Sequence, residues 1–225
     1  MNGKNDCGHN ALQYLCRNNS SEKLIDGIKL LIQSGIDVNG KDNKGENALH
    51  FLCLKNSSEE LIDGIKLLIQ SGIDVNGKNR YGQNALHLLC WNSSEILIDA
   101  IKLLIQSGID VNGKNNNGEN TLHLLCYRPD ISSEKLIDAI KLLIQLGIDV
   151  NGKSRYGWNA LHSLCFFNSS EKLIDAIEVL IQSGIDVYSN GIDARTLLKD
   201  NSNLKQKKET VDGIIQFLDR AAREK

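Results

Sequence analysis

Four pairs of residues with metal-ligating side chains recur along the chain: His50 and Cys53, His87 and Cys90, His123 and Cys126, His162 and Cys165. Each pair is spaced i, i+3, which puts both side chains on one face of a helix. Both residue types ligate zinc, but a structural zinc takes four ligands in a tetrahedron. One pair supplies only two. The pairs recur at intervals of 36 to 39 residues, and helices stacked at that period stand about 10 Å apart, too far to share an ion. The expectation is no metal and no cofactor: a histidine that hydrogen-bonds turn backbone, and a thiol that fills core.

Other chemistry is equally thin. No nucleophile, base and orienting acid can be assembled from the residues that are not repeated, and no GxxxxGK[ST] phosphate loop is present, so the chain reads as non-enzymatic. Asn18, Asn19, Asn56, Asn92 and Asn168 each begin an N-x-S sequon. Their regular placement before a helix, beside unpaired cysteines, points to helix capping rather than glycosylation. Asp37, Asp74, Asp110 and Asp149 each precede Val-Asn, a pattern expected of a turn held by an Asx hydrogen bond.

Charge is nearly balanced, with Lys+Arg 26 against Asp+Glu 28, so bulk electrostatics announces neither nucleic acid nor membrane. No apolar run reaches the length of about 20 residues that spans a bilayer, and no signal peptide is visible. The opening MNGKND matches the repeat ending VNGKDN at Val38, so the chain is expected to start inside a longer array. Cys16, Cys53, Cys90, Cys126 and Cys165 fall in one slot of successive copies and are expected as buried free thiols, with Cys7 the one exposed candidate. That usage fits a reducing compartment, cytoplasmic or nuclear, and a monomer is expected.

The elements that must position these residues are repeats. The stretch Gly45–Lys78, GENALHFLCLKNSSEELIDGIKLLIQSGIDVNGK, returns from Gly82, Gly118 and Gly157, and a variant opens at Gly8. Self-similarity at such a period marks a stacked repeat protein. In each copy an Asn (Asn47, Asn84, Asn120, Asn159) can cap a short helix, in which Leu49, Leu52 and Cys53 form one apolar face. A second helix follows. Asn56 and Glu59 stand three apart, close to a capping box, and Leu61, Ile62, Ile65, Leu68 and Ile69 give its buried stripe. Gly27, Gly64, Ala100, Ala139 and Ala176 are small where helices must approach closely, and Gly72 ends the helix.

This unit resembles the ankyrin repeat, a turn and two helices of about 33 residues with a TPLHxA signature. Here NALHxLC stands in that place, and GIDVN stands for GADVN. The expected fold is all-α: a single ankyrin-like helix-turn-helix solenoid over residues 1–225 with β-turn or hairpin loops, units starting near Gly8, Gly45, Gly82, Gly118 and Gly157, and a C-terminal cap at 188–225. Length varies only between the Cys and the SSE, most of all at Tyr127-Arg128-Pro129-Asp130-Ile131. Gln13 replaces the repeat His in the first copy. The resemblance also implies that Asn39, Asn76, Asn112 and Asn151 can be targets of an asparaginyl hydroxylase, and that loop tips and first helices line one concave binding face.

What differs between copies then carries function. The variable slots hold most of the aromatics and several arginines, the residue types that dominate hot spots. Arg80, Tyr81, Gln83, Trp91, Tyr127, Arg128, Arg155, Tyr156, Trp158 and Phe166, with Phe167 beside it, are the expected partner-binding residues; for Trp91, Tyr127 and Phe166 the alternative is that they cover the seam between helices. Lys41, Lys44, Lys78, Arg80, Lys114, Lys153 and Arg155 make the loop edge basic, which favours an acidic protein segment. The reading is a protein–protein interaction module. The alternatives are a structural spacer or scaffold segment of a larger repeat protein, and nucleic-acid binding through the basic edge, the weaker because no nucleic-acid motif is present.

Overall fold

A computed structural model describes residues 2–18, 21–55, 58–92, 96–128, 131–168, 173–204 and 207–223. It divides into two compact units, 1–116 and 117–225.

The first unit holds three helical hairpins: α1 (Ala11–Asn18) with α2 (Lys23–Gln33), α3 (Ala48–Lys55) with α4 (Glu60–Gln70), and α5 (Ala85–Leu89) with α6 (Leu97–Gln106). First helices stack on first helices, α1 on α3 on α5, and second on second, α2 on α4 on α6. The second unit repeats the plan with α7 (Thr121–Tyr127) and α8 (Ser133–Gln145), then α9 (Ala160–Phe167) and α10 (Leu173–Gln182). A two-residue hairpin, β1 (Tyr188–Ser189) against β2 (Ile192–Asp193), leads into α11 (Ala194–Asp200), a 3-10 turn at Ser202–Leu204, and α12 (Lys208–Arg223). The α11 helix packs on α9, and α12 on α11. The α12 helix buries Val211, Ile214 and Leu218 on one side and is charged on the other, the polar outer face that the end of a stack needs. The Arg195 guanidinium ties Asp193 to Asp219 of α12 and holds the Asp193 carboxyl below the usual carboxylate range.

The first helices start where the sequence places them. Asn84 Oδ1 accepts from His87 N at 3.1 Å, while the Asn84 backbone N–H donates to His87 Nδ1 at 3.3 Å. The same reciprocal cap joins Asn47 to His50 and Asn120 to His123. With Nδ1 accepting, the Nε2–H of His50 donates to Gln83 O of the next copy at 3.1 Å. The His123 ring reaches Trp158 O (2.9 Å), and that of His162 reaches Ile192 O (3.1 Å). Gln13 does the same work without an imidazole. Its Oε1 accepts from Asn10 N at 2.7 Å, and its Nε2 donates to Gly40 O and Glu46 O at 3.0 and 2.7 Å.

Second helices begin differently from expectation. The α4 helix starts at Glu60, with Glu59 in the cap position and no side-chain cap bond from it, so Glu59 is not the third helical residue that a capping box requires. Asn56 lies outside the described residues. In α8, Ser132 caps Lys135 N at 3.4 Å. Gly64 meets α3 so closely that a Cβ there would stand 2.9 Å from Leu52 Cδ2. Gly72 takes φ +81°, letting Gly72 N and Ile73 N bond back to Ile69 O and Leu68 O at 3.0 and 3.1 Å, the paired bonds that close a helix with a left-handed glycine.

Candidate binding site

The loop tips are held by one device. Asp42 Oδ1 accepts from Lys44 N and Glu46 N (2.8 and 2.7 Å), Asn79 Oδ1 from Tyr81 N and Gln83 N (2.9 and 3.0 Å), and Ser154 Oγ from Tyr156 N and Trp158 N (3.3 Å each). Neighbouring tips are joined by single backbone bonds, such as Arg80 N to Lys44 O (2.8 Å) and Arg155 N to Asn117 O (2.7 Å). Lower on the loop, the expected Asx turns form: Asn39 N, Asn76 N, Asn112 N and Asn151 N donate to the carboxylate two residues before. The asparagine side chains then cross to the next copy. Asn76 donates to Gly108 O at 2.9 Å and accepts from Asp110 N at 2.7 Å, and Asn39 and Asn151 do likewise. A hydroxylase acting at these three would have to break both bonds to reach the side chain.

The His–Cys pairs face inward. Both ring nitrogens of His50 meet backbone, and burial, the larger effect, holds its pKa below the ordinary 6.5 against the raising effect of the Gln83 carbonyl. His162 is lowered for the same reason, against the Ile192 carbonyl. The five slot cysteines are buried and Cys7 is exposed; burial pushes the Cys16 and Cys165 thiols up to about 12. Among the described residues no cluster of three or more His, Cys, Asp or Glu is placed to hold a metal.

The sequon asparagines also bond between copies. Buried Asn92 donates to Cys53 O at 2.9 Å and buried Asn168 to Arg128 O at 3.2 Å, tying each copy to the end of the preceding first helix. Asn18 bonds Tyr14 O; Asn19 and Asn56 lie outside the described residues.

In the first unit, Arg80 and Tyr81 are exposed and paired. The guanidinium carbon lies 4.8 Å from the ring centroid, and Nη2 donates to the phenol oxygen at 2.6 Å. Trp91 is exposed. Gln83 is half-buried, its carboxamide oxygen accepting from Asn79 Nδ2 at 3.3 Å, so it shapes the tip more than it faces outward.

In the second unit the structure gathers several expected residues at one place. Arg155 stacks on Tyr156 at 4.7 Å. Tyr127 lies 4.1 Å from Phe167, and Trp158 lies 5.4 and 6.1 Å from Phe166 and Phe167, centroid to centroid. Together Tyr127, Tyr156, Trp158 and Phe167 wall a recess of about 340 Å³, with Glu119, Ser154, Ser163 and the edge of His123 completing it. Phe166 packs from outside the recess lining, consistent with a part in covering the seam. Arg128 is a correction: its side chain is 1% exposed and offers no surface to a partner, at a position whose carbonyl is tied to Asn168 of the next copy. Sequence reasoning missed Ser163 and Ser154. The signal was there: Ser163 takes a slot held by Tyr14, Phe51, Leu88 and Leu124, and Ser154 one held by Asn5, Asp42, Asn79 and Asn115.

A family model described as ankyrin repeats matches in three copies, over residues 1–79, 20–115 and 96–191. The chain belongs to the ankyrin-repeat family. No curated protein matches it. Ankyrin repeats are generally protein–protein interaction modules and typically not enzymes. Among the described residues, no helix of this ankyrin-repeat chain is long and apolar enough to cross a membrane.

Proposed function

We propose that this chain is a non-catalytic recognition module that binds a protein segment on its loop tips and first helices, with the aromatic recess of the second unit as the anchor. The single observation that carries this reading is the convergence of half-exposed rings, Tyr127, Tyr156 and Trp158, on one recess in a chain with only 5% aromatic residues. Large amphipathic rings in a partly desolvated pocket are what hot spots are made of. The preferred segment is acidic. Lys41, Lys44, Lys78, Arg80, Lys114, Lys153 and Arg155 are all exposed on the loops, and exposed cations at the loop tips steer and select an anionic partner. The interval of 36 residues from Gly82 to Gly118 keeps the repeat in phase and supports one array over residues 1–225.

The test is affinity capture by the parent chain and by a variant carrying Arg80→Ala, Tyr81→Ala, Arg155→Ala and Tyr156→Ala, with circular dichroism confirming that both fold alike. A protein held by the parent and released by the variant is the expected result. Equal capture by both, or none by either, sinks the loop-face assignment and favours the spacer reading.

A further inference from the structure

The fifth copy departs from its siblings at four slots, and all four meet at the recess. Two side chains are cut down: Ser163 stands where other copies place Tyr, Phe or Leu, and Ser154 where they place Asn or Asp. Two are enlarged: Trp158 replaces His, Gln or Glu, and Phe167 replaces Asn, Lys or Arg. In three sibling helices the Ser163 slot is full, with Phe51, Leu88 and Leu124 all buried, while Tyr14 of the first copy is exposed. Removing that bulk between two added rings leaves space of about 340 Å³, at the small end of ligand-site volumes and suited to one large side chain.

Its floor is polar. Ser163 is 7% exposed, and its Oγ makes no hydrogen bond with any described residue. Ser154 is 9% exposed; its Oγ accepts from two backbone N–H groups, and no described acceptor takes its own proton. Buried hydroxyls are normally bonded, so two facing one recess mark a place where a ligand's polar atom is wanted. Glu119 lines the same space as an acceptor.

We infer that this recess takes a tyrosine side chain of the bound segment, the ring filling the volume that Ser163 leaves open between Tyr127, Trp158 and Phe167, and the phenol O–H exchanging hydrogen bonds with the serine hydroxyls and Glu119. An aliphatic side chain would leave the Ser163 hydroxyl and the Ser154 proton without a protein acceptor, and a lysine would bring its charge near Arg155, already stacked on Tyr156. The inference rests on the recognition reading above and names the residue at its centre.

The test uses the full chain and two probes, p-cresol for the tyrosine side chain and toluene for phenylalanine, followed by the indole N–H signals of the two tryptophans in a nitrogen-15 spectrum. A saturable shift of the Trp158 signal, with Trp91 unmoved, and p-cresol binding about three- to tenfold tighter than toluene is the expected result. Ser163→Leu restores the sibling side chain and abolishes the shift with the fold intact by circular dichroism. Ser163→Ala keeps the space and brings the two probes toward equal affinity. The inference is overturned by an unmoved Trp158 signal up to probe saturation, by binding that survives Ser163→Leu, or by toluene binding as well as p-cresol. If Ser163→Leu still captures the partner that the loop-tip variant releases, the recognition reading stands and the tyrosine pocket falls.

Discussion

The second and fifth copies use nearly the same words, NALHFLC and NALHSLC, yet one closes and the other opens. In the second, Phe51 is 3% exposed, packs edge-on against the His9 ring at 5.0 Å and lies under the Arg17 guanidinium at 5.8 Å. In the fifth, Ser163 leaves the same position empty and two added rings stand around it. Both keep the Asn cap, the bridging histidine and the buried cysteine. The frame is therefore common, and a few variable slots, the Ser163 slot foremost, decide whether a copy presents a seam or a recess.

Swapping that slot is the strongest way to break the comparison. Phe51→Ser should cost about 3–5 kcal/mol, the usual loss for truncating a buried aromatic, whereas Ser163→Leu should change stability by no more than about 1 kcal/mol because it fills open space. Urea unfolding midpoints of the two variants check this; equal losses would mean that the two sites are not different.

Next in size are the caps, which should matter alike in both copies. Asn159 bonds His162 N at 3.3 Å and Asp186 O at 2.8 Å; Asn47 bonds His50 N at 3.1 Å and Asp74 O at 3.3 Å. Asn159→Ala and Asn47→Ala should each cost about 1–2 kcal/mol, read from the same midpoints. A loss confined to one of them would show that the frame is not shared.

A smaller effect follows from pH. The pKa values of His50 and His162 are lowered in the folded chain, so the unfolded chain takes up protons first as pH falls. Their contribution is whole above about pH 6.5 and is lost progressively below it, down to the folded pKa values. Around His50, Lys41 lowers the pKa further while Asp42 and Asp74 oppose it. The urea midpoint should fall between pH 7 and pH 5. His50→Gln, which copies the arrangement at Gln13, should keep the fold and reduce that slope. An unchanged slope would mean that His50 is not a source of it.

The smallest effect is at the exposed tips. Arg80→Ala and Arg155→Ala should each shift stability by less than about 0.5 kcal/mol, while the second weakens partner capture. A large stability loss would make the Arg–Tyr stacks structural.

The chain's own periodicity made the fold legible. Asn47 before a helix, His50 three residues on, Gly64 at a close approach and Gly72 at an end each act through local backbone chemistry, and so they read correctly from one dimension. The same holds for the Asx turns at Asp37, Asp74, Asp110 and Asp149. The bonds of Asn92 and Asn168 to Cys53 O and Arg128 O were not legible, because those partners come from 39 and 40 residues away, a distance that no local pattern encodes. Arg128 misread because burial is set by packing between copies, which the residue type after Tyr127 does not state.

The sequence by itself determined the ankyrin architecture, the buried thiols and the basic loop edge, since repetition fixes which residues share a slot and periodicity fixes which slots face inward. It also brought Tyr127, Tyr156 and Trp158 under suspicion. Only tertiary structure decided that these rings meet at one place and that Ser154 and Ser163 leave a polar-floored space beneath them. A cavity is a property of side chains from different copies closing around one another, and nothing in a single copy's pattern states what its neighbours leave unfilled.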